Sequence, residues 1–130
     1  MADVNRGNRP LSPHLQVYRL PVTAVTSILT RITGHAMLAG LVLLVWWLVA
    51  AATSPQAFAT ADAVMNSWFG FIVMWGSVWA LWYHFMAGLR HLAYDSGRGL
   101  EIDAAKKLSW VVIGASVALT LISIILFYFA

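Results

Sequence analysis

The sequence has no cysteine, so the chain supplies no disulfide, no thiolate nucleophile and no iron–sulfur ligand. Charge is scarce as well. Only 10% of the residues are charged, against about 25% in typical soluble domains. The net charge of +3 is too small and too localised to point to nucleic acid. No pair of carboxylates falls within an apolar run, and there is no Gly-rich phosphate loop and no Ser/His/Asp arrangement. Without buried carboxylates in series, a proton or ion transporter has little to work with. The opening MADVNRGNRPLSPH lacks an apolar h-region and is not expected to be a cleavable signal peptide. What is present is apolar: 61% hydrophobic residues, seven Trp and a mean hydropathy of +0.77. These describe a single, all-α integral membrane domain of 130 residues.

Residues 1–21 are polar, carry Pro10, Pro13 and Pro21, and hold Arg6, Arg9 and Arg19. This is expected to be an extended or interfacial arm, with Pro21 able to open a helix at its first turn. A transmembrane helix needs about 20 predominantly apolar residues, and three stretches qualify: about 22–53, 63–93 and 106–129. The polar, proline-bearing TSPQAFATAD separates the first two, and a charged loop with two glycines, DSGRGLEIDAAKK, separates the last two. Trp110 and Tyr128, near the two ends of the third span, fit interfacial anchors.

All eight basic residues lie before or at the start of the first span or around the loop between spans two and three: Arg6, Arg9, Arg19, Arg31, Arg90, Arg98, Lys106 and Lys107. The other loop carries Asp62 and no basic residue. The positive-inside rule therefore predicts a cytoplasmic N-terminus and a C-terminus on the far side.

The second span carries the polar chemistry. At about 100° per residue, Asn66, Gly70, Ser77, Ala80, His84, Gly88, His91 and Asp95 share one face. Trp68, Trp75, Trp79 and Trp82 share the other. In a membrane the bulky face is expected to meet lipid and the small face to pack against neighbouring helices. His84 lies inside the span with Ala80 one turn before it and Gly88 one turn after it, clearing space for a planar macrocycle. A histidine so placed suits axial ligation of a heme iron; a histidine hydrogen-bonded across helices is the plainer reading. His91 lies about 10 Å further along at ~1.5 Å per residue, near the headgroups with Arg90 and Asp95. It reads as an interfacial polar residue, or as part of a proton path with Asp95.

On the first span, Ser27, Thr30, Arg31 and Gly34 recur at helical spacing. Arg31 at the membrane boundary either snorkels or offers its guanidinium to a propionate or a carbonyl oxygen, with Ser27 as a neighbouring donor. His35 reads as a packing histidine, and His14 belongs to the polar arm.

RPLSPHLQVYRLP, then SILTRITGH, and later HFMAGLRHLAYD, together resemble the cytochrome b subunit family of succinate dehydrogenase, the larger membrane anchor of complex II. The resemblance covers essentially the whole chain. It implies that a flavoprotein subunit and an iron–sulfur subunit pass electrons from succinate to ubiquinone at the membrane surface of a bacterial inner membrane. It implies that Ser27 and Arg31 belong to the quinone pocket, that Arg31 lies close to a heme propionate, and that His84 is one axial ligand of heme b. The other ligand then comes from a second, smaller anchor subunit, completing a helix bundle that three spans cannot close alone. Many relatives carry a His where this chain has Thr30, which leaves the propionate contact to Arg31. The competing expectation is a cofactor-free structural anchor for soluble subunits.

Overall fold

The computed structural model describes residues 18–129. The expectations for Arg6, Arg9, Pro10, Pro13 and His14 lie outside the described residues. Four helices follow in order: α1 Val22–Thr53, α2 Pro55–Met65, α3 Trp68–Asp95 and α4 Ile102–Phe129. Three of them, α1, α3 and α4, are long and apolar enough to cross a membrane. At ~1.5 Å per residue, 28 residues of α3 or α4 reach about 42 Å, beyond the ~30 Å hydrocarbon core.

The segment expected to be a polar break between spans is itself helical. Ser54 leaves α1 in an extended conformation, and its hydroxyl accepts a bond from the Ala57 N–H at 3.1 Å. Pro55 occupies the first turn, where its missing N–H costs nothing. The chain therefore restarts at once as α2, and the second span begins at Trp68 rather than Ala63. Ser67 caps it by accepting from Gly70 N–H at 3.3 Å. Asp62 ties this end together, accepting from Trp47 Nε1 of α1 at 3.4 Å and from Asn66 Nδ2 at 2.9 Å. At the other end, Gly97 and Gly99 both take a φ of +75°, a region open to glycine at no steric cost. The reversal they make is shorter than expected, because α4 already starts at Ile102.

The α3 helix is the central element, packed on α1 along one side and on α4 along the other. The small side faces α1. A Cβ on Gly40 would meet Ser77 Oγ at 2.5 Å, and one on Gly34 would meet His84 Cε1 at 3.3 Å. The tryptophan side does not simply face lipid, as expected, but packs on α4. Trp75 lies 5.6 Å from the ring of Phe127 and 6.1 Å from that of Tyr128. Trp82 Nε1 donates to Ser123 Oγ at 2.9 Å. The physical reason is that a central helix has neighbours on both sides, and an indole N–H gains more from a serine hydroxyl than from hydrocarbon. Trp68 alone of the four stays largely outside, at 77% exposed.

The apolar core is small: Tyr83, Ala87 and Val112, flanked by Leu29, Trp79, Met86 and Ile113. Most large apolar side chains point outward, as the bilayer requires, among them Leu38, Ile72 and Leu126. What is buried instead is rich in hydroxyls: Thr26, Thr33, Ser109, Ser116 and Thr120. Several bond to carbonyls on their own helix, as Thr33 does to Leu29 O and Ser109 to Ala105 O, both at 2.8 Å. This satisfies their polarity where no water competes.

Candidate functional site

The chemistry gathers at the end of the layer where α1 begins, α3 ends and α4 begins. His84 is half-buried against α1. Its Nδ1 lies 3.1 Å from the backbone oxygen of Thr30 and 3.4 Å from Thr33 Oγ1. A carbonyl oxygen only accepts, so the bond to Thr30 places the ring proton on Nδ1. Nε2 is then left with its lone pair and with no hydrogen-bond partner among the described residues. That is the tautomer and orientation of a metal-ligating histidine held by a carbonyl behind it. Thr30 contributes through its backbone, while its own hydroxyl turns back to Thr26 O at 2.8 Å.

The space beside His84 is asymmetric. A Cβ built on Gly88 would meet nothing within 4 Å, so this side is open. Ala80, expected to clear space on the other side, is 1% exposed and fills the helix interface instead. The described residues contain no group of three or more His, Cys, Asp or Glu side chains able to hold a metal ion.

Of the remaining residues on the expected packing face, Gly70 is buried and Ser77 and Gly88 are half-buried, but Asn66, His91 and Asp95 are exposed. His91 packs edge-on against Tyr94 with ring centroids 6.3 Å apart. His35 is also exposed and bonds through Nδ1 to Arg31 O at 2.8 Å, a local contact within α1.

Ser27 and Arg31 are both exposed and lie one turn apart on α1. They are not equivalent. Ser27 lines a cavity of about 460 Å³ whose wall also includes Thr23, Arg90, His91, Tyr94 and Lys106, whereas Arg31 does not line it.

The residue that sequence reasoning missed is Arg90. Placed near the headgroups from its neighbours, it is in fact 6% exposed. Its Nη1 donates to Thr26 Oγ1 at 2.7 Å and to Ser109 Oγ at 3.3 Å, joining α3 to both α1 and α4. Tyr83, fully buried, donates its hydroxyl to Thr26 O at 3.0 Å. The available signal was the spacing of Tyr83, Ala87, Arg90 and Tyr94, which returns to one face of α3 between the His84 and Trp faces.

Comparison with known proteins bears on this arrangement. A family model described as "Succinate dehydrogenase/Fumarate reductase transmembrane subunit" matches residues 5–123. The chain is 67% identical over 128 residues to the succinate dehydrogenase cytochrome b556 subunit of Paracoccus denitrificans, covering 98% of each. It is 36% identical to the succinate dehydrogenase cytochrome b560 subunit of Reclinomonas americana, over 92% of this chain and 87% of that one. Against the cytochrome b556 subunit of Rickettsia felis it is 33% identical, over 88% and 89%.

Proposed function

The chain belongs to the succinate dehydrogenase/fumarate reductase transmembrane subunit family, as a cytochrome b membrane anchor of the enzyme complex, and on that premise we propose that His84 is its heme ligand and Ser27 and Arg31 its quinone contacts. The observation that carries the reading is the bond from His84 Nδ1 to Thr30 O. It turns an ordinary packing histidine into one whose other nitrogen is free and oriented. Heme b, when bound, supplies one-electron storage beside the quinone. The heme's second strong ligand would come from the smaller anchor subunit, which would complete a helix bundle that three spans cannot close alone.

The chain's own residues do three things in this scheme. Thr30 and Gly34 hold the imidazole: the carbonyl of one accepts its hydrogen bond, and the other lets it approach α1. Arg31, exposed and charged, directly follows Thr30, whose carbonyl His84 meets, and balances a heme propionate. Ser27 donates its hydroxyl to a ubiquinone carbonyl at the mouth of the adjoining cavity, with Arg31 as the charged partner on the same face. His91 and Asp95, both exposed, lie where a proton could pass from water towards a quinone oxygen. No complete catalytic site resides in this chain; electrons arrive from succinate through the flavoprotein and iron–sulfur subunits. The basic ends of α1, α3 and α4 lie together, and by the positive-inside rule they face the cytoplasm, leaving the C-terminus in the periplasm.

The competing assignment, a cofactor-free structural anchor, differs in one observable. A reduced-minus-oxidised optical spectrum of the purified complex is expected to carry the sharp bands of a low-spin heme b. A complex with flavin and iron–sulfur signals but no such bands would remove heme ligation from His84 and leave only anchoring.

A further inference from the structure

Burying a cation without a counter-charge is costly, by several kcal/mol even after relaxation. Arg90 is in that situation. Both of its recorded hydrogen bonds go to neutral hydroxyls, those of Thr26 and Ser109. Its Nε is buried and has no hydrogen-bond partner among the described residues. The single ion pair among them joins Lys106 to Asp103, so no described carboxylate neutralises Arg90. The ring of Tyr94, with its centroid 6.0 Å from the guanidinium carbon, offers only a weak cation–π contact at that distance. Arg90 also forms part of the wall of the cavity that Ser27 lines.

We propose that Arg90 is a positioning residue of the quinone site. Through Thr26 it fixes the turn of α1 that presents Ser27, and its uncompensated charge favours the negative charge that gathers on a quinone oxygen as electrons arrive. The inference rests on the assignment of Ser27 to the quinone. Two features connect it to that site. Thr26 is held from three directions: Arg90 donates to its hydroxyl, Tyr83 to its carbonyl at 3.0 Å, and Ser109 lies 3.3 Å from its Oγ1. Ser27 is the next residue, so the backbone that carries its hydroxyl inherits that rigidity. The charge itself sits among apolar and hydroxyl groups rather than in water, where a fixed cation acts on developing charge far more strongly. Lys106 and His91 line the same cavity but are exposed, so water screens them.

The test uses the whole complex, assembled in membranes, with Arg90→Gln, Arg90→Lys and Thr26→Val beside Ser27→Ala. Arg90→Gln removes the charge and is expected to lower kcat with quinone by roughly tenfold, less than the about 100- to 1,000-fold lost with a donor in direct contact, because Arg90 acts through Thr26 and from a distance. Arg90→Lys keeps the charge but not the fork that reaches two hydroxyls. It should recover most of kcat while KM for quinone stays raised severalfold. Thr26→Val, with Arg90 intact, should likewise raise KM more than it lowers kcat. Succinate oxidation by an artificial dye and the heme spectrum report assembly in each case. A purely structural role would instead lower the stability of the complex in Gln and Lys variants alike, without separating kcat from KM. If Arg90→Gln assembles and keeps wild-type quinone kinetics while Ser27→Ala loses them, Arg90 has no part in a quinone site that is otherwise sound. Unchanged kinetics in Ser27→Ala as well would remove the quinone assignment itself, and this inference with it. Should Arg90→Gln fail to assemble, Arg90→Lys decides: a raised KM supports the positioning role, and a wild-type KM overturns it.

Discussion

One turn of α1 serves two neighbours of different chemistry. The carbonyl of Thr30 accepts a hydrogen bond from His84 Nδ1, and the hydroxyl of Thr26 accepts one from Arg90 Nη1. Arg31, on the same turn, keeps its guanidinium outside, free to meet a propionate or a quinone. A hydrogen bond to a charged group is worth about 1.5–3 kcal/mol, which is roughly ten- to hundredfold in rate. Arg31→Leu is therefore expected to slow quinone reduction by tens-fold while succinate oxidation by an artificial dye continues, as steady-state assays with the two acceptors would show. Normal quinone kinetics in that variant would remove Arg31 from the site. Although helical periodicity did not name α1 as the helix that His84 meets, that His84 lies on a packing face with Ser77 and Gly88 was legible in the sequence from that pattern. The burial of Arg90 was not. It depends on Thr26 and Ser109, 64 and 19 residues away, and no local pattern pairs a basic residue with hydroxyls on two other helices.

At the scale of elements, α3 is held by contacts of opposite kinds on its two sides: close backbone approach on α1, aromatic and indole contacts on α4. The approach to α1 depends on glycine, since a Cβ on Gly40 would overlap Ser77 Oγ at 2.5 Å and crowd its Cβ at 3.1 Å. Gly40→Leu is expected to force the helices apart and cost about 1–3 kcal/mol, as overpacking does. Thermal melting of the detergent-solubilised complex would report it as a lower midpoint; an unchanged midpoint would mean that this contact is not needed. The three long helices could be read from hydropathy, because apolar length alone marks a span. The α2 helix could not, because TSPQAFATAD is polar, and polarity says nothing of whether Ser54 caps a new helix. The tryptophan side misled for a related reason: the lipid-facing rule assumes one packed side, and α3 has two.

For the whole molecule, the notable property is how little it buries. With a core of Tyr83, Ala87 and Val112 and apolar side chains mostly outward, the three long helices form a layer whose outer surface suits lipid. The layer is also polarised, with the basic residues at one end and Asp62 at the other. A reporter fused after Ala130 is expected to behave as periplasmic, and one inserted between Gly97 and Gly99 as cytoplasmic; the reverse pattern would relocate every site described above. The central claim concerns one nitrogen, His84 Nε2, and a choice between two histidines. His84 is half-buried, with its proton committed to Thr30, whereas His91 is exposed to water or headgroups. Low-spin heme b requires two strong axial ligands, so loss of one changes the spin state or releases the heme. Optical and paramagnetic resonance spectra of the complex carrying His84→Leu, with His91→Leu beside it, measure this most directly. The low-spin signal should vanish in His84→Leu and persist in His91→Leu; an intact low-spin spectrum in His84→Leu would contradict the assignment.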